Sequence, residues 1–210
     1  MSPKEMVEFF KDEPVSFNPG EKFQYNNSGY VLLGYLIELI SGKSYEKFIQ
    51  TNIFDKVSMR NSYYASDRTV IKNRAYGYHE KSKGFVNKTS ISFSIPFSSG
   101  ALMSTIGDML KWQNALNDNI LLKPENLLKA FQKTTLNNGQ KIDYGYGWYL
   151  KNNKDILTRE HGGSIFGYKS MGIYIPTVDI YILGLSNCDC HSPTQIIKDI
   201  AELMKVTLIE

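Results

Sequence analysis

The sequence has no basic block. Lys and Glu are interspersed and the formal net charge is +3, which argues against a nucleic-acid partner. It also lacks a long apolar run. The longest, Val31 to Ile40, is too short to span a membrane and contains Glu38. The opening "MSPKEMVEFFKDEP" has neither a basic n-region nor an apolar h-region, so no signal peptide is expected in this chain. Only two cysteines occur, Cys188 and Cys190. On a strand they would point to opposite faces, which disfavours a mutual disulfide and leaves the compartment open. Repeats and low-complexity segments are absent. What remains is ordinary globular material. The 210 residues are 42% hydrophobic, with 14 Tyr and 11 Phe, enough to bury a substantial core in one domain or two closely packed lobes.

Met6, Val7, Phe9 and Phe10 predict a short amphipathic helix, with Pro14 just beyond its end. "FNPGEKFQY" is a turn cornered on Pro19-Gly20. Ser28 is the expected N-cap of a helix from Tyr30 to Ser41, with Gly42 as its C′ stop. That helix is apolar nearly all round and should be buried inside a larger lobe. Ser44 should cap a following helix whose Tyr45, Phe48 and Ile49 face inward. Residues 61–98 show no strong helical period and read as long loops with short extended pieces such as "SISFSI", a candidate cleft lining. Thr105 should cap a helix with Met109, Leu110 and Trp112 inward, and Pro124 should start another, to about Thr134.

After Asn138-Gly139 the period changes to two. "DYGYGWYLKN", "DILTREH", "YKSMGIYIP" and "VDIYILGLSN" are strand candidates, joined tightly at Asn152-Asn153 and Pro176-Thr177 and therefore antiparallel. A final helix, Pro193 to Val206, presents Ile196, Ile197, Ile200, Leu203 and Met204 on one face.

Two constellations could carry chemistry. In Tyr25-Asn26-Asn27, one reading is a polar turn that caps a helix through Asn27 or Ser28. The other pairs Tyr25 with Asn27, since residues i and i+2 of an extended turn point the same way. A phenol beside a cation can exchange protons with a hydroxyl nucleophile or a leaving amine, and a carboxamide both donates to and accepts from an amide substrate. In "EHGGSIFGYKS", His161 ends a strand candidate, and Gly162 and Gly163 let another backbone approach closely. A glycine-lined edge strand can bind an extended substrate by strand addition, and the Ser164 amide could polarise a carbonyl. The alternative is a plain glycine hairpin with an incidental histidine. "CDCH", Cys188 to His191, is too tightly spaced for a usual zinc knuckle and has no second pair. His79 lies in the long loop and is expected to be solvated.

Together, "FNPGEKFQYNNSGYVLLGYLIELISGKSYEKFIQTNIFDKVSM", "SSGALMSTIGDMLKW" and "YGYGWYL…HGGSIFGYKS" resemble the penicillin-recognising serine hydrolases. The match is to the group of class C β-lactamases, D-alanyl-D-alanine carboxypeptidases and related esterases and peptidases. The blocks occur in the family order and cover nearly the whole chain. The resemblance implies an α/β fold of β-lactamase/transpeptidase type, with a helix-rich lobe, an antiparallel sheet and a C-terminal packing helix. Residues 1–135 would be the lobe, carrying the Tyr-x-Asn motif and the long loops. Residues 136–210 would be the sheet, with the His-x-Gly motif and the final helix. Tyr25 and Asn27 would fill Tyr-x-Asn, His161 and Gly163 would fill His-x-Gly, and Ser164 would supply the oxyanion amide. Neither metal nor organic cofactor is implied. Ligands would be a small peptide, a β-lactam or an ester. Intact relatives are periplasmic, extracellular or membrane-associated, which leaves this chain's own location open. The motif resembled is Lys-Thr-Gly or His-x-Gly, and where the family often has Lys this chain has His161. Histidine ordinarily loses its charge near pH ~6.5, so carboxylate ligands should bind more weakly above neutrality.

The chain departs from the family at the nucleophile. The family attacks with the Ser of a Ser-x-x-Lys motif that precedes Tyr-x-Asn. Only 24 residues precede Tyr25 here, and none fits. The expectation is therefore a β-lactamase-like domain without its N-terminal third. Such a chain would be inactive alone and prone to self-association or to pairing with the missing segment. Ser44-Tyr45-Glu46-Lys47 has the spacing but sits at a helix start among solvated charges, where Ser is an ordinary N-cap. The rival readings are a non-catalytic module that binds peptidoglycan-like peptides or β-lactams, and one piece of a split enzyme.

Overall fold

The computed structural model describes residues 1–207 apart from Asp67, Lys154 and His191. In chain order its elements are α1 (Pro3–Phe10), α2 (Asn27–Ser41), α3 (Tyr45–Ile49), β1 (Tyr63–Tyr64), β2 (Tyr78–Lys81), β3 (Gly84–Asn87), α4 (Phe97–Gly100) and β4 (Leu102–Met103). There follow α5 (Ile106–Asn117), α6 (Pro124–Ala130), β5 (Thr134–Thr135), β6 (Lys141–Ile142), β7 (Tyr149–Asn153), β8 (Ile156–Ile165), β9 (Tyr168–Ile175), β10 (Ile180–Ser186) and α7 (Pro193–Thr207). They form two compact units that interleave along the sequence. One comprises Met1–Val70, Ile91–Lys123 and Thr135–Ile142. The other comprises Ile71–Ser90, Pro124–Thr134 and Asp143–Glu210.

The first unit is helical. Its core joins Met6, Val31, Tyr45, Ile49, Phe54, Met59 and Phe97. Ser44 caps α3 as expected, its Oγ accepting from the Lys47 amide at 3.2 Å, and Tyr45 and Ile49 are buried. Gly42 ends α2 in the left-handed conformation, φ 67°. The α2 helix departs from expectation in two ways. Its N-cap is Asn26, whose side chain accepts from the Ser28 amide at 2.6 Å. Ser28 therefore contributes its N–H, not its hydroxyl. The helix is also not enclosed. Val31 and Gly34 are buried, and any Cβ on Gly34 would collide with the Ser98 side chain. Across the remaining surface Leu32, Leu33, Leu36, Leu39 and Ile40 are exposed, Leu33 by 55% and Ile40 by 85%. One stripe meets α1, α3 and α4, and much of the helix's remaining apolar surface faces outward.

Thr105 caps α5, accepting from the Asp108 amide at 3.3 Å. Met109 and Trp112 pack against the core as expected, but Leu110 does not. Leu110 is exposed, while Asp108 is buried and accepts from the Asn61 amide (2.7 Å), Ser62 Oγ (3.0 Å) and Lys111 Nζ (2.8 Å). Burial alone would raise this carboxyl. The hydrogen bonds from Lys111, Asn61 and Ser62 outweigh it and hold Asp108 below its ordinary value. "SISFSI" is not extended, since residues 93–96 form a turn. The strands of the long-loop region are instead the short β1, which pairs with β4, and the β2–β3 hairpin, Tyr78↔Asn87 to Lys81↔Gly84.

The second unit holds a four-stranded antiparallel sheet in the order β10-β9-β8-β7. These are the four segments that the period-two pattern marks. Met171, Ile173 and Ile175 of β9 pack on Ile197 and Ala201 of α7. Only that stripe of α7 is covered. Of the residues expected on one face, Ile197 and Met204 pack against the sheet, while Ile196, Ile200 and Leu203 are exposed. His79 is not simply solvated. Its Nδ1 lies 2.5 Å from Asp189 Oδ2 and its Nε2 accepts from the Thr89 amide at 2.9 Å. Cys188 and Cys190 form a disulfide with Cα atoms 5.2 Å apart, contrary to the strand-based expectation. Strand β10 ends at Ser186 and the chain bends, with the Cys190 amide donating to Cys188 Sγ. The pair is thus not available as thiolate ligands, and His191 lies outside the described residues. Among the described residues, no helix is long and apolar enough to cross a membrane.

Candidate active site

Tyr25 and Asn27 flank the residue that caps α2. Asn26 is extended (φ −147°, ψ 124°) and Asn27 is the first helical residue. Both Tyr25 and Asn27 are exposed, and the Tyr25 ring tilts against Tyr30 at 5.5 Å between centroids. A helix start preceded by an extended residue is a firm mount. It fixes the backbone of the motif without using the Tyr25 phenol or the Asn27 amide as the cap. The polar-turn reading is right that the turn caps a helix, but the cap is the middle residue.

His161, Gly163 and Ser164 lie together on β8. His161 does not end the strand, which runs on through the glycines to Ile165 and turns at Phe166-Gly167. Gly163 is packed tightly, since a Cβ there would meet Ser170 Oγ at 2.7 Å. The edge is partial. β9 pairs with β8 from Arg159 to Ile165, but β7 pairs only from Ile156 to Glu160. Beyond Glu160 no strand covers the second side of β8 among the described residues of this sheet, and Gly162 to Ser164 are exposed.

The register decides which amides face that open side. A two-residue turn closed by Ile165↔Tyr168 makes this a hydrogen-bonded pair, and bonded pairs then alternate. Ile165, Gly163 and His161 bond toward β9, while Glu160, Thr158 and Ile156 bond toward β7, matching the stretch where β7 pairs. Gly162 and Ser164 share the second parity. Their N–H and C=O groups point to the side that β7 leaves uncovered. The Ser164 N–H therefore faces the uncovered side, while the Gly162 carbonyl lies 2.7 Å from His161 Nδ1.

Two residues that the sequence reading did not single out surround the His161 ring. Tyr144 OH is 3.4 Å from Nε2, and the Tyr149 ring lies 5.8 Å away between centroids. His161 Nδ1 is 2.7 Å from the Gly162 carbonyl. The signal was the string "DYGYGWY", whose tyrosines looked like ordinary strand residues.

The beta-lactamase family model matches residues 1–201. The chain belongs to the beta-lactamase family. It is 31% identical to Penicillin-binding protein 4* of Bacillus subtilis (strain 168), over 81% of this chain and 41% of that protein. An octameric penicillin-binding protein homologue from Pyrococcus abyssi superposes with TM-score 0.80 at 29% identity, over 97% of this chain and 48% of the other. A penicillin-binding protein from Bacillus halodurans does so with TM-score 0.83 at 25% identity, over 97% and 62%. The fold is thus that of the β-lactamase and penicillin-binding proteins, and the chain is a serine hydrolase family member. It spans less than two thirds of the length of each of these relatives, and under half of the first two.

Ser44 and Lys47, the one Ser-x-x-Lys string in the sequence, are both exposed. Ser44 Oγ is engaged as the α3 cap.

Proposed function

We propose that this chain supplies the substrate-binding and proton-handling part of a beta-lactamase-family acyl hydrolase, and that the attacking serine comes from a segment outside it. The substrate would be a β-lactam, a D-amino-acid peptide or an ester. In this reading Tyr25 relays the proton between nucleophile and leaving group, Asn27 holds the acyl side chain and His161 tunes the local field. Gly163 gives the ligand backbone access, and the Ser164 amide takes the developing oxyanion. The observation that carries the reading is the uncovered β8 edge, which turns the Ser164 N–H outward beside His161. The open apolar side of α2 supports the missing segment. Covering a half-exposed leucine is worth about 1 kcal/mol, so Leu32, Leu33, Leu36, Leu39 and Ile40 together favour an added partner. Self-association belongs to the same reading, as the Pyrococcus homologue is octameric.

The test joins this chain, in trans or fused at Met1, to the N-terminal part of the Bacillus subtilis relative, provided that part carries Ser-x-x-Lys. The expected result is acylation of the added serine by a fluorophosphonate. Tyr25→Phe or His161→Ala should slow it by about 10²-fold or more. Equal labelling rates in the variants would remove both residues from the mechanism.

A second reading is favoured by the same open edge taken without chemistry: a module that binds peptides or β-lactams reversibly. It predicts saturable binding by the chain alone, with the Tyr25, Asn27, His161 and Ser164 signals following one dissociation constant. Binding without any labelling in the joined protein would favour this module over the hydrolase.

A further inference from the structure

The surroundings of the His161 ring fix more than its position. The Gly162 carbonyl can only accept, so His161 Nδ1, 2.7 Å away, carries the proton. In the neutral ring the lone pair is then on Nε2, and Tyr144 OH, at 3.4 Å, is its donor. That is a long hydrogen bond, as those of unliganded sites often are. The phenol is held from behind. Tyr144 is buried, its carbonyl accepts from the Thr134 amide (3.2 Å) and Thr134 Oγ1 (3.0 Å), and its ring meets Tyr149 edge-on at 4.8 Å. Tyr149 in turn lies along the His161 ring. The loop between is tight, with the Gly145 amide bonded to the Trp148 carbonyl and the Leu150 amide to the Asp143 carbonyl.

We infer that Tyr144 is a positioning residue for His161: with the Gly162 carbonyl it selects the Nδ1–H tautomer and leaves Nε2 as the proton-accepting nitrogen. Free histidine side chains favour the opposite tautomer, so the selection is imposed by these two partners. The consequence for the proposed hydrolase is that the single lone pair of neutral His161, on Nε2, is engaged by the Tyr144 phenol, so the ring takes up a proton through that phenol, a role that a lysine at this position cannot fill in its charged form. This consequence rests on the catalytic reading of His161, whereas the tautomer itself does not.

The test reads the tautomer directly, without activity. The full chain, labelled with ¹⁵N, is examined by long-range ¹H–¹⁵N spectra of its histidine rings at mildly alkaline pH, with His161→Gln assigning the signals. The expected result is a protonated Nδ1 and an unprotonated Nε2 for His161. Tyr144→Phe, which keeps the ring, should move the tautomer ratio about fivefold toward Nε2–H. Tyr149→Phe should leave it in place. A wild-type ring protonated on Nε2 overturns the inference, as does a Tyr144→Phe ratio equal to wild type or a Tyr149→Phe shift as large as that of Tyr144→Phe. If Tyr144→Phe does not fold, the wild-type tautomer decides. Failure of the joined protein to acylate would leave this result standing, so the two ideas fail separately.

Discussion

Tyr149 lies opposite Glu160, and with that pair β7 stops covering β8. Everything proposed for the His161 end of the site follows from this early stop. From His161 onward one side of the strand has a neighbour and the other does not, and register parity assigns Ser164 to the open side. Replacing Ser164 with proline removes that N–H without touching a bond to β9. Ser164→Pro should abolish binding of an extended D-amino-acid peptide or β-lactam, whereas Ser164→Ala, which keeps the amide, should bind within about threefold of wild type. Calorimetry or ligand-induced amide shifts would check this. Equal losses in both variants would implicate the hydroxyl and refute the amide role.

The buried Asp108 links α5 to the chain at Asn61 and Ser62, 47 and 46 residues away. Its three donors hold the carboxyl below its ordinary value, so the stability it contributes is present above the unfolded value near pH ~4 and is lost as pH falls toward the folded value. Asp108→Asn should cost about 2 kcal/mol at pH 7. Lys111 is half-exposed and can be rehydrated, which keeps the loss near that of a charged hydrogen bond. Urea unfolding at pH 7 and near pH 3 should show the gap between wild type and variant narrowing at the lower pH. A gap that widens in acid would reverse the assigned sign.

The same residue shows where the sequence stopped being readable. Local periodicity places Leu110 inward on α5 along with Met109 and Trp112 and gives no reason to bury Asp108. Its burial is set by hydrogen bonds from a segment 47 residues earlier, which no local periodicity contains. The strands were legible because period two over β7 to β10 leaves no rival element. The Tyr-x-Asn and His-x-Gly strings were legible as motifs, but the capping of α2 by Asn26 was not, since Asn26, Asn27 and Ser28 are all good caps. Nor was the role of Tyr144, because its contact with His161 depends on how the 143–149 loop folds back. The disulfide escaped because Cys188 was placed on a strand that had already ended.

The exposed side of α2 gives a prediction about assembly. Leu33, Leu39 and Ile40 are more than half exposed, and an apolar surface of this kind recruits partners. The chain alone should self-associate in sedimentation velocity at micromolar concentration. Leu33→Gln, Leu39→Gln and Ile40→Lys combined should render it monomeric with its helix content retained, since none of the three is buried. A wild-type chain that stays monomeric at high concentration would mean that this surface needs no cover.

The last prediction concerns the serines of the chain itself. Losing the nucleophile of a serine hydrolase costs on the order of 10⁶ in kcat on the subtilisin precedent. A replacement would need a hydroxyl beside a desolvated base. Ser44 caps α3, and both it and Lys47 are exposed. Ser28 follows the Tyr25 motif directly, but its engaged group is the amide that donates to Asn26, and Ser164 offers its amide to the open edge of β8. The isolated 210-residue chain should therefore form no stoichiometric adduct with a β-lactam or a fluorophosphonate, as read by intact-mass spectrometry. An adduct mapped to Ser44 would mean that α3 opens its cap to make a Ser-Lys pair. An adduct on Ser28 or any other serine would place the nucleophile inside this chain and end the case for an external one.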